Sequence, residues 1–138
     1  MLRRVVTFWL ASLLAAAAIA AYEVFLLHHV EPDFGAPPGS FTVDFGIFAF
    51  FGLVGAICHG FAALLLRSAA GSPSSASAVL AASLSAFAFE LLVYALPLTL
   101  FNHLPTLMPL LGAIGLMVSA LVLFVTARLT RHSYGGAA

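Results

Sequence analysis

Apolar residues run along this chain in four long, almost uninterrupted blocks: Val5 to Leu27, Val43 to Leu66, Val79 to Phe101 and Leu107 to Ala127. None shows the strict alternation of a half-buried strand, and short alternating segments of the kind a membrane barrel needs are absent. Each block is long enough to cross a hydrocarbon core of about 30 Å as a helix. A helix satisfies its own backbone groups where water cannot. The pattern therefore predicts an all-α fold: an integral membrane four-helix bundle forming a single domain over residues 1–138.

Between the blocks the chain changes character. VEPDFGAPPGSFT, after the first block, is rich in Pro and Gly and reads as a series of turns. RSAAGSPSSASA, residues 67–78, reads as a flexible linker of small residues. NHLPTLMP is short, so the third and fourth helices are expected to be antiparallel neighbours.

Composition agrees with the pattern. Of 138 residues 63% are hydrophobic and 7% are charged, where a soluble domain carries about 25% charged residues. There is no lysine and no basic stripe, which excludes a nucleic-acid-binding surface. The single cysteine, Cys58, excludes an internal disulfide and any CxxC motif. No GxSxG, HExxH, Walker loop or GxGxxG is present, so no enzymatic activity is expected.

The five arginines orient the helices. Arg3 and Arg4 precede the first block, Arg67 ends the second, and Arg128 and Arg131 follow the fourth. Four crossings put all five on one side, which the positive-inside rule makes cytoplasmic. Both termini are thus expected inside, in a bacterial inner membrane. Glu31, Asp33, His28, His29 and His103 are then expected at the outer face, with Asp44 just within it. The opening MLRRVVTFWLASLLAAAAIA also resembles a secretory signal, with Ala18-Ile19-Ala20 as a cleavage site. Its apolar run continues to Leu27, longer than a usual signal core, and favours a retained span.

Lipid gives helices no hydrophobic reason to associate, so close approach through small residues matters. Gly52, Ala56 and Gly60 recur every four residues along the second block, and Gly112 and Gly115 lie in the fourth with Ser119. These are the expected packing positions, within the chain or between copies.

Glu90 carries the strongest chemical signal. It lies midway along the third block, where a carboxylate costs about 2.5–3.5 kcal/mol on insertion scales. Such residues face a bundle interior and mark ion or proton routes. Helical spacing aligns Ala86, Glu90 and Tyr94, so that Tyr94 is placed to donate to the carboxyl group. His59, in the inner half of the second block, is a second step on such a path, or a packed histidine with its ring satisfied. Glu23, near the outer end of the first block, is a weaker member. At the outer face His28, His29, His103 and Asp44 come from three helix ends, a set that suits zinc, another divalent metal or, through paired histidines, haem. Their spacing matches no named metal motif, and no cofactor is expected.

PPGSFTVDFGIFAFFG, Pro37 to Gly52, resembles the second-helix signature of the small fluoride channels. Gly39, Val43 and Gly52 match that signature, Ser40 nearly does, and Asp44 stands where the pore asparagine would be. The resemblance implies a paired dimer that conducts fluoride. The chain departs from it in the first helix, which lacks the family's Gly-Gly and arginine pattern, and in the third, which reads SLSAFAFE in place of a threonine- and serine-rich break.

Three readings follow. The first is a small membrane protein, working with copies of itself or with other subunits, that moves protons or a small ion past Glu90. The second is an accessory subunit of a larger membrane complex, respiratory for example, with an outer metal or haem site. The third is a divergent fluoride-channel-like protein.

Overall fold

The computed structural model describes residues 1–29, 41–66 and 75–135. It is all-helical. Helix α1 spans Leu2–His29, α2 Phe41–Leu65, α3 Ser75–Tyr94 and α4 Leu104–Gly135, with a short 3-10 helix over Leu98–Asn102 between the last two. All four α-helices are long and apolar enough to cross a membrane.

Two boundaries depart from the apolar blocks. The third block runs to Phe101, but α3 stops at Tyr94. Pro97 is the cause: it has no N–H to continue the ladder, and its ring disfavours helix in the residue before it. The chain re-forms as a single 3-10 turn, with Leu100 N–H donating to the Pro97 carbonyl at 3.0 Å. His103 then opens α4, its carbonyl accepting from the N–H groups of Thr106 and Leu107 at 3.0 Å each. At the other end, α3 begins at Ser75, inside the segment read as a linker. Residues 67–74 of that segment lie outside the described residues, as do Glu31 and Asp33.

The helices alternate in direction. Along α1 and α2, Ser12 lies by Gly52, and Val5 lies by Gly60. Along α2 and α3, Phe48 faces Tyr94 and Gly52 faces Glu90. Along α2 and α4, by contrast, Cys58 meets Gly115 and His59 meets Ser119, so these two run parallel. The start of α1, the end of α2, the start of α3 and the end of α4 therefore share one end of the bundle, where Ala62, Ala81 and Leu123 cluster. Arg3, Arg4 and Arg128 all sit toward that end. Among the described residues α1 and α4 do not touch, whereas α2 and α3 meet across the centre.

Small residues and phenylalanines fill the core. Ala11, Ala16, Ala56, Ala82 and Ala86 are buried with Phe8, Phe48, Phe51 and Phe89. Large aliphatic side chains point away from it: Leu14, Leu65, Met117 and Leu121 are each at least 65% exposed. In water this would be an extensive apolar surface. Against lipid it costs nothing, and small residues inside let the backbones approach.

Candidate functional site

Close packing between α1, α2 and α3 creates the site. Gly52 has no side chain, and the space is taken by side chains of the two flanking helices. A Cβ placed on Gly52 would collide with the Ser12 hydroxyl and lie 2.8 Å from Oε1 of Glu90. The carboxyl group of Glu90 and the hydroxyl of Ser12 therefore crowd one point in the bundle interior. Both residues have no solvent exposure. Ser12 donates its hydroxyl hydrogen to the Trp9 carbonyl at 2.7 Å, one turn back on its own helix. Neither oxygen of Glu90 has a hydrogen-bond partner among the described residues. A buried polar group without a partner forgoes on the order of 1–3 kcal/mol, more for a charged one, which makes this carboxyl unusual.

Tyr94 does not fill the role that its spacing suggests. It sits one turn beyond Glu90, but its ring faces Phe48 at 6.3 Å between centroids and is 37% exposed. Its electrostatic neighbours are Glu23 and Tyr22 instead. Glu23 is half-buried and within electrostatic reach of Asp44, so these acids gather at the end away from the arginines.

His59 forms a second polar level. It too has no exposure, and its Nδ1 shares a hydrogen bond of 3.2 Å with Oγ of Ser119 on α4. Its Nε2 has no partner among the described residues, and neither does the buried Oγ of Ser85 on α3. His59 lies seven residues along α2 from Gly52, a rise of roughly 10 Å. Aromatic rings occupy the interval. Phe8 lies 5.3 Å from the His59 ring and 6.1 Å from Phe89. Gly55 makes room for both phenylalanines, and Gly115 faces Phe89 and Cys58. Glu90 and His59 are thus two separate levels with an aromatic layer between them.

The glycines differ in surroundings. Gly60 lies against Val5 of α1 and against Met1 ahead of it, Gly52 and Gly115 face the side chains named above, and Ala56 is fully buried. Around Gly112 no such atom lies within 4 Å of the built Cβ position. At the far end of the bundle, Asp44 is half-buried and His103 is exposed. His28 and His29 end α1, with side chains outside those described. Among the described residues no three His, Cys, Asp or Glu side chains converge to hold a metal.

Ser12, Phe8 and Ser85 are members of these levels that sequence reasoning missed. Ser12 left a weak signal, as a hydroxyl in the middle of an apolar block. Phe8, one of 13 phenylalanines, left none.

Comparison with protein-family models, with curated proteins and with solved structures gives no match to this chain. The likeness of Pro37–Gly52 to the fluoride-channel signature accordingly rests on those residues alone.

Proposed function

We propose that this chain is an integral membrane protein that moves protons, with Glu90 as the group that takes up and releases them. The observation that carries this reading is the Glu90 carboxyl group: fully buried at the junction of three helices, with both oxygens unpartnered. A merely structural carboxyl would be expected to bond a neighbouring helix. The proton is preferred to a metal ion because the donors at this point are few. Hard cations such as calcium take six to eight oxygens, whereas the carboxyl group and the Ser12 hydroxyl are the side-chain oxygens crowding Gly52.

In this reading the arginine end faces the cytoplasm of a bacterial inner membrane, with both termini inside. The large apolar side chains meet lipid, and the protein works as a non-enzymatic carrier among copies of itself or other subunits. His59 with Ser119 is the inner stop. Movement of the Phe8 ring connects it to the Glu90 level.

The test is proton flux. The full chain is reconstituted in liposomes that enclose a pH-sensitive dye, and a potential is imposed. Glu90→Gln keeps the side chain's shape and removes its titration. Flux should fall by about 100-fold or to the liposome background, with helicity and melting unchanged. Full flux in that variant would end the proposal.

A further inference from the structure

The arginine end of the bundle holds a feature that proton movement does not use. Arg3, Arg4 and Thr7 of α1 face Ala78 and Val79 in the first turns of α3, and together they line a small cleft that opens outward. Arg4 is half-buried and Arg3 is exposed. Among the described residues neither has a carboxylate to pair with at this end. Of the five acidic residues, Glu23 and Asp44 lie toward the opposite end and Glu90 in the core. Arg128 is engaged differently, its guanidinium 5.0 Å from the Phe124 ring centroid. Two adjacent guanidinium groups therefore share a cleft with a hydroxyl, and no acidic side chain among the described residues lies there.

We infer that this cleft binds the phosphoryl headgroup of an anionic phospholipid. Guanidinium groups match phosphate oxygens in bidentate geometry, and basic pockets between membrane helices take anionic head groups. Thr7 adds a hydroxyl donor. The apolar wall argues for a lipid over free phosphate: Val79 lines the cleft, and Leu80 beside it is 56% exposed, so acyl chains have apolar surface to follow. The inference rests on the membrane reading above.

The full chain in mild detergent is titrated with phosphatidylglycerol or with phosphatidylcholine, and bound lipid is counted by native mass spectrometry. Inorganic phosphate forms a separate arm. Phosphatidylglycerol should be preferred. Each basic residue near an anionic surface contributes roughly fivefold, so Arg3→Gln with Arg4→Gln should lower that preference about 30-fold. Arg128→Gln with Arg131→Gln makes the same charge change and should leave it nearly intact. Arg3→Lys with Arg4→Lys should restore part of it, which separates the site from a folding defect. Equal losses in the two Gln pairs would mean diffuse charge and overturn the site. Arginine-dependent binding of inorganic phosphate with no lipid preference would overturn the lipid assignment. Failure of the unmodified chain to incorporate into vesicles of either lipid would sink the membrane reading and this one with it; incorporation without selectivity would sink this one alone.

Discussion

Glu90 and His59 are equally buried and differently treated. His59 has one ring nitrogen bonded to Ser119 on a neighbouring helix. Glu90, two helical turns away across an aromatic layer, has neither oxygen bonded. The contrast separates two uses of a polar group in an apolar bundle. A single side chain-to-side chain bond ties α2 to α4 through one ring nitrogen of His59, while the other has no partner among the described residues. Nothing comparable accounts for the carboxyl, and its unmet bonding capacity is what a transferable proton requires.

The comparison breaks most severely at the ring between the two levels. Phe8→Ala removes a fully buried ring; it should cost about 3–5 kcal/mol and raise passive proton leak, as read by thermal melting in detergent and dye quenching in liposomes. Next comes Gly52→Val, which drives a side chain into Ser12 and Glu90. Overpacking of this kind costs about 1–3 kcal/mol, and flux should be lost with it. Gly112→Val, built into open space, should change melting by less than about 0.5 kcal/mol. Ser119→Ala leaves His59 without its partner and should cost on the order of 1–2 kcal/mol, yet flux should keep most of its rate. If flux instead collapses as in Glu90→Gln, the two levels act as one unit and the distinction fails. A small effect is also expected of Ser12→Ala. Its hydroxyl bonds its own helix backbone, so melting should shift by well under about 1 kcal/mol, while a modest slowing of flux would place the hydroxyl on the proton's route.

The sequence disclosed the fold through length and hydropathy, because a helix long enough for a bilayer needs little besides an apolar run. It marked Glu90, since a mid-span acid is conspicuous by its cost. It also marked Gly52, through spacing. What it could not disclose was the partner of each group. Helical periodicity aligned Tyr94 with Glu90, but the side-chain direction is decided by packing, and Phe48 holds that ring. Residues such as Phe8 and Ser85 have their meaning only across helices, in a register set by which small residues touch. Pro97 lay in plain view, yet hydropathy scores the apolar residues around it alike and passes over a break in the backbone.

The aromatic layer has an electrical consequence. If the bundle spans a bilayer as proposed, Phe8 and Phe89 continue the hydrocarbon dielectric through the middle of the protein, so the bundle at rest is an insulator and not a conductor. In that reading a proton passing between the carboxyl and the imidazole crosses part of the membrane field. Charge transfer should accordingly be voltage-dependent and arrive as discrete ring-gated events, with no steady open-pore current in a planar bilayer recording.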